Sequence, residues 1–228
     1  MTAAAISFKT ESGSVRFHRF PPAHTMPAMK GIQSMHSTHT SEDDPRAARS
    51  RTIRPCCEDE AETMLTIVNA AAEVYRGAIP ADCWHEPYMP SAELQSEIAA
   101  GITFVGCEID GALAGVMGIQ PVRNVNLIRH AYVLPAYQGR GVGSALMAYL
   151  RAQTDRQILV GTWAAASWAI GFYERHGFML VPETVKASLL RTYWTISERQ
   201  IETSVVLAAP HLTRDSAGEL MERAGAIR

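Results

Sequence analysis

Three glycines at alternate positions, Gly139, Gly141 and Gly143, lie inside the run VLPAYQGRGVGSALMAYL from Val133 to Leu150. A strand-like run precedes them and a helix-like run follows. The chemistry such a place offers is anion binding. The first amide N–H groups of a helix have no intrahelical partner, and with the helix dipole they hold a phosphate. Glycine lets the backbone come close to a ligand, and Arg140 adds a positive charge beside it. Two familiar phosphate patterns fail here. The Walker loop needs a lysine after its last glycine and none follows, and the dinucleotide fingerprint meets Ser144 where its third glycine belongs. The plainer reading is a tight strand-to-helix turn, but one glycine would serve that, so the loop is read as a pyrophosphate cradle.

Elements on both sides must position this loop. TIRPC is a short strand, and Glu58 to Tyr75 has helical spacing, with acids in the first turn where the helix dipole favours them. The segment YRGAIPADCWHEPYMP is irregular and has three prolines. Ser91 is expected to cap a second helix and Gly101 to end it. ITFVGCEI and ALAGVMGIQ flank Asp110-Gly111, a pair that tolerates the positive φ angles of a hairpin turn. Residues 126–134 form a third strand ending before Pro135, and a helix runs from Gly141 to about Thr154. QILVGTW is a buried strand, and Ala165 to His176 a helix stopped by Gly177, with Phe178 opening the next strand. Leu189 to Ser197 reads as irregular or partly helical, 201–208 as a final strand, and the last twenty residues as a polar, loosely attached helix. Hairpins followed by crossovers define an α/β layered sheet with helices on its faces.

The chain has 228 residues and a formal net charge of −2, so no global charge points to nucleic acid or a membrane surface. No apolar run approaches the ~20 residues that span a bilayer, and the start lacks a secretory pattern. Residues 1–48, rich in Ser, Thr, His, Pro and Met, are expected to be a disordered tail. Residues 49–209 are expected to form the domain, and 210–228 a polar C-terminal tail. Cys56, Cys57, Cys83 and Cys107 fit no zinc or C-x-x-C spacing, so the expectation is four reduced thiols in a cytoplasmic protein without a metal.

The stretch V-x-P-x-x-Q-G-x-G-V-G, Val133 to Gly143, resembles the acyl-CoA-binding motif of the GNAT superfamily of N-acetyltransferases. W-A-I-G-F-Y-E-R-H-G-F, Trp168 to Phe178, resembles the next motif of that family, at the expected separation. The resemblance covers about Arg51 to Ala209. It implies a mixed, largely antiparallel sheet of six to seven strands flanked by about four helices, with a splayed central strand at the cofactor site. It implies that amides of Gly139, Arg140, Gly141, Val142, Gly143 and Ser144 hold the pyrophosphate of acetyl-CoA, the co-substrate. Ala131, Tyr132 and Val133 would pair with the pantetheine arm, an amide near Val133 holding the developing oxyanion. Tyr173 would donate a proton to the departing thiolate; the plainer role for it is a core aromatic. One departure stands out: Ala166 occupies the place where family members often carry an asparagine, leaving that contact to a neighbour such as Ser167 or to none. The family also often pairs through sheet edges, which leaves a homodimer open.

Direct transfer to an amine needs the amine neutral, so a base or water relay must take a proton. His130, on the central strand, suits that task if it shares a face with Tyr132 with no bulge between them. His85 and Glu86 are rivals, and Glu108 is a weaker one. Trp84, His85, Glu86 and Tyr88 mix aromatics with a carboxylate and would line a pocket for a small cationic amine, or else an ordinary packed loop. Trp163, Trp168 and Trp194 are read as core. The function expected is acetyl transfer to a primary amine of a small molecule or peptide in a ternary complex; the alternative is a non-catalytic acyl-CoA-binding sensor.

Overall fold

The computed structural model describes residues 50–226. The expectation for residues 1–48 lies outside them. Strand β1 (Arg51–Pro55) leads into helix α1 (Ala61–Ala72), which has a single 3-10 turn at each end. Its buried stripe of Met64, Leu65, Ile67, Val68, Ala71 and Ala72 follows the helical period seen in the sequence. Helix α2 (Ser91–Ala99) starts one residue earlier than its expected cap would allow. Pro90, with an extended backbone, takes the N-cap position and Ser91 is the first helical residue, so no side chain caps the helix.

Strands β2 (Thr103–Ile109) and β3 (Ala112–Val122) form the expected hairpin. Asp110 and Gly111 have φ of 52° and 83°, both positive, as a type I′ turn requires. Strand β4 (Val125–Val133), helix α3 (Val142–Ala152), strand β5 (Gln157–Trp163) and helix α4 (Ser167–Arg175) follow as read from the sequence. Strand β6 (Met179–Leu180) is only two residues long.

The next stretch departs from expectation. It is helix α5 (Glu183–Tyr193), with Val185, Lys186, Leu189, Leu190 and Tyr193 buried along one face. Lys186 masks the pattern: a charged residue stands inside the buried stripe, its ammonium reaching out to Glu183 at 2.7 Å. Helix α6 (Glu198–Thr203) starts with a capping box between Ser197 and Gln200 and takes residues 201–203 from the expected strand, leaving β7 as Ser204–Ala209. Helix α7 (Arg214–Ala226) is polar as expected but docked, not loose. Ala217, Leu220 and Ala224 are buried, and Asn124 and Tyr193 both donate to the Leu220 carbonyl.

The sheet order is β1-β2-β3-β4-β5-β7-β6. All neighbours are antiparallel except β4 and β5. The sheet is thus mixed and largely antiparallel with seven strands, while the helices among the described residues number seven, more than the four expected. One face is covered by α1, α2, α5 and α7, the other by α3 and α4.

Two irregularities of β4 shape the centre of the sheet. Its parallel pairing with β5 stops at Ile128–Val160, so Arg129 to Val133 have no β5 partner and the sheet splays there. Its register with β3 jumps between Val116 opposite Tyr132 and Gly118 opposite Arg129, which is a bulge. The bulge reverses the alternation of side chains. Val125 and Leu127 join the α1 side and Ile128 the α3 side, but beyond it Tyr132 joins the α1 side and Ala131 and Val133 the α3 side.

Candidate functional site

The glycine loop lies at the open end of that splay. After β4 the chain makes a 3-10 turn at Pro135–Tyr137 and enters α3 through Gly141. Gly139 and Gly141 have φ of 75° and 77°, and a Cβ at Gly139 would meet nothing within 4 Å. These two positions therefore need glycine for backbone angle rather than for room. Gly143 differs: it lies inside the helix, and a Cβ there would sit 3.2 Å from the Phe172 ring. No side chain caps α3, and its first main-chain bond is from Ala145 N–H to the Gly141 carbonyl at 3.0 Å. The amides of Val142, Gly143 and Ser144 precede that bond, so no intrahelical carbonyl takes them.

Those amides border a cavity of about 320 Å³, lined also by Val133, Tyr137, Gln138, the α4 residues Phe172 and Arg175, and His176 just past its end. Arg140, expected to supply the positive charge, does not line it; its guanidinium lies over the Tyr137 ring at 5.7 Å. Arg175 and His176 bring charge-bearing groups from the next crossover instead. They lie inside the second motif, but only the packing of α4 on α3 reveals that they face the loop. Arg51, from β1, also reaches the Gly141 carbonyl at 3.5 Å.

A narrow slot of about 10 Å³ shares Val133, Gly143 and Phe172 with this cavity and continues along Ala131 and Tyr132 to Val116 and Met117. The expected strand residues thus line a channel leading into the splay. The Leu134 amide bonds the Ala114 carbonyl across the β3 edge at 2.9 Å. Alternation along the strand turns the N–H of Val133 to the opposite edge, where β5 has parted. The Val133 carbonyl accepts a hydrogen bond from Gln138 Nε2 at 3.0 Å, which steadies that end.

Tyr173 is completely buried, with its ring edge-on to Phe172 and Phe178 at centroid distances of 5.3 and 5.7 Å. Its hydroxyl is buried with no hydrogen-bond partner. Burial, with Tyr75 nearby, holds the phenol well above its ordinary pKa, so it keeps its proton. Tyr173 itself lines neither the loop cavity nor the slot, and an unpaired buried hydroxyl costs about 1–3 kcal/mol. Phe172, the neighbour of Tyr173 in the sequence, is the one that lines the cavity. Ala166 is the buried N-cap residue of α4, without a side-chain cap, and Ser167 is exposed.

His130 is displaced from its expected role. The bulge that would break its shared face with Tyr132 falls on it, and it has φ of 47°. Its ring is fully buried, stacked on Phe104 at 5.8 Å, with Nε2 bonded to the Glu97 carboxylate, and it borders neither the loop cavity nor the slot. Glu108 is tied to Arg54 at 2.9 Å on the far side of the sheet.

A second cavity of about 590 Å³ lies on the α1 side of the sheet. Of the four expected acceptor residues, Trp84, His85 and Tyr88 line it. Glu86 does not: its carboxylate is drawn out to Arg76 at 2.5 Å, which lowers its pKa. The carboxylates in the lining are Asp82, paired with Arg199 at 3.0 Å, and Glu93, from the first turn of α2, with His85 Nε2 at 3.6 Å. Trp163, read as core, also lines this cavity, because it extends past the last β4–β5 pair. Tyr88 packs edge-on to Tyr132 at 6.1 Å, so one ring contact separates this cavity from the slot. Among the described residues no cluster of three or more His, Cys, Asp or Glu is placed to hold a metal ion. No helix there is long and apolar enough to cross a membrane.

Fold and site together define an α/β protein with an anion cradle at a strand-to-helix crossover, opening into a split sheet. Residues 100–180 match the family model described as an acetyltransferase (GNAT) domain. The matched residues run from the end of α2 to β6 and carry both the glycine loop and α4, so this part of the chain is similar to GNAT acetyltransferases. Solved structures with the same fold include the PaiA N-acetyltransferase from Thermoplasma acidophilum in complex with coenzyme A, with a TM-score of 0.53 and 17% identity over 70% of this chain and 98% of that one. A GNAT-family acetyltransferase from Staphylococcus aureus Mu50 gives 0.52 and 14% over 70% and 98%. An acetyltransferase from Streptococcus agalactiae 2603 gives 0.51 and 12% over 69% and 96%. No curated protein matches the chain in sequence.

Proposed function

We propose that this protein transfers an acetyl group from acetyl-CoA to a primary amine, with both substrates bound together. The observation that carries the reading is the uncapped start of α3, which opens into the loop cavity and runs on through the slot along the unpaired end of β4. The PaiA neighbour holds coenzyme A within the same fold, which supports the same ligand here. When bound, acetyl-CoA supplies an activated acyl group. The amides of Val142, Gly143 and Ser144 hold its pyrophosphate, with Arg175 beside them. The Val133 N–H donates to the carbonyl oxygen of the reacting group. Tyr173 holds a proton on a phenol whose hydroxyl has no hydrogen-bond partner among the described residues, and it would give that proton to the thiolate.

The acceptor occupies the second cavity. Trp84, Tyr88 and Trp163 offer aromatic faces and Glu93 and Asp82 carboxylates, the latter paired with Arg199, and the lining itself contains no lysine or arginine. That lining suits an amine arriving as an ammonium ion. Glu93 and His85 are the pair placed to take its proton.

A binding-only sensor has one observation in its favour: Ala166 leaves the start of α4 without the polar side chain that family members carry there. Thermal shift and calorimetry with acetyl-CoA test the first step. Thiol release with a panel of 2-phenylethylamine, spermidine, glycine and an alanine-initiated peptide tests the second. Absence of binding at millimolar acetyl-CoA rejects both readings; binding without thiol release across the panel selects the sensor.

A further inference from the structure

We propose that Glu97 is the positioning residue of β4: reaching from α2, it ties down the bulged His130 together with Arg129, the last residue paired before the bulge, and thereby decides which side chains of the strand turn toward the slot. The catalytic consequence rests on the transferase reading above, but the clamp itself does not.

Glu97 is 1% exposed. One carboxylate oxygen accepts from Arg129 Nη2 at 2.9 Å, and the other is bonded to His130 Nε2. Consecutive residues of a regular strand point to opposite faces. A single carboxylate on one face reaches both only because the backbone bulges at His130, with a positive φ that residues other than glycine rarely adopt. Further contacts close the arrangement. Arg129 Nη1 donates to Gln120 Oε1 at 2.8 Å, and Gln120 Nε2 donates to the Ala100 carbonyl, just past the end of α2, at 3.0 Å. The ring of Phe104 covers His130. Glu93 and Tyr88 also act on the Arg129 charge from the same side.

A buried ionic cluster of this kind adds little stability that apolar residues would not, but it can select one arrangement of the chain over another. Here the two arrangements differ in function. With the bulge, Val133 and Ala131 line the slot and Tyr132 faces α1. Without it, the parity reverses and Val133 turns away from the cradle. Neither Glu97 nor Arg129 borders either large cavity, so the cluster acts on the site only through the strand.

The test uses the full chain with Glu97→Gln, and with the double variant E97Q/R129Q. The double variant leaves no unpaired buried charge and so covers the case in which the single one fails to fold. In the free protein, amide hydrogen exchange at Ala131, Tyr132 and Leu134, the last bonded to the Ala114 carbonyl, should accelerate by about tenfold or more, with Leu159 and Leu207 unchanged. Calorimetry with free coenzyme A should give a Kd within about threefold of wild type, since the loop amides are untouched. With whichever panel amine is turned over, kcat should fall by about 30-fold or more while KM for acetyl-CoA moves by less than about threefold. Wild-type exchange at the three amides overturns the proposal. So does a lowered Tm accompanied by wild-type kcat well below it, which is what a merely stabilising Glu97 produces. If the wild-type protein binds no CoA thioester, the transferase reading fails while the exchange result still decides the clamp.

Discussion

At the scale of single residues, the informative groups are those whose polar atoms nothing in the protein answers. The Tyr173 hydroxyl is one: fully buried, unpaired and held well above its ordinary pKa. A folded-state pKa raised in this way keeps the phenol protonated throughout the range below about pH 10, so loss of this proton should not limit the rate there. Tyr173→Phe should lower kcat by about 10²-fold or more while leaving the Kd for coenzyme A within about threefold, measured by thiol release and calorimetry. Unchanged turnover would remove Tyr173 from the chemistry. Glu93 and Glu86 make the complementary point. Both are carboxylates near the same loop, but Arg76 holds Glu86 outside the cavity that Glu93 lines.

At the scale of elements, the site depends on how closely α3 packs on α4. Gly143 and Phe172 form that contact, and the same two residues border both the loop cavity and the slot. Gly143→Ala places a methyl group 3.2 Å from the Phe172 ring, tighter than ordinary contact. The ring must then shift toward the slot, since α4 is held on its other side by Tyr173 and Phe178. Coenzyme A affinity should fall about tenfold by calorimetry, with Tm changed by only a few degrees. An unchanged affinity would show that the ring yields elsewhere and that the slot does not carry the arm.

At the scale of the whole molecule, long-range ties join the start of the chain to the sheet. Arg54 on β1 donates to Glu108 on β2 and to both oxygens of Glu60, ahead of α1. This pairing, with the Cys57 amide, lowers the Glu60 carboxyl from its ordinary 4.5 to about 2. A depressed folded-state pKa contributes stability that is complete above the unfolded value and disappears as pH falls through the folded one. Urea midpoints should therefore decline between about pH 4.5 and pH 2, and Glu60→Gln should flatten that part of the curve. Part exposure of both partners limits the effect to about 1 kcal/mol. The nearby Cys56 thiol, pushed up to about 12 by burial and by Glu60, should alkylate far more slowly than the exposed Cys57.

Local features were legible in the sequence alone: the Asp110-Gly111 hairpin, the α1 stripe, the strand-to-helix loop with its glycines, and the order of most elements. Each depends on neighbours a few residues away, where spacing and backbone preference act directly. The helix at Glu183–Tyr193 escaped because the buried Lys186 broke its apolar period, and that lysine is tolerable only because its ammonium reaches Glu183 at the surface. Tertiary structure alone decided the parity of β4, the replacement of Arg140 by Arg175 and His176 at the loop cavity, and the presence of Trp163 and Glu93 in the second one. These outcomes depend on register and packing between segments that are separate elements of the fold. One extra residue in a strand, held by a carboxylate from a distant helix, reverses every side chain that follows, and no local spacing records it.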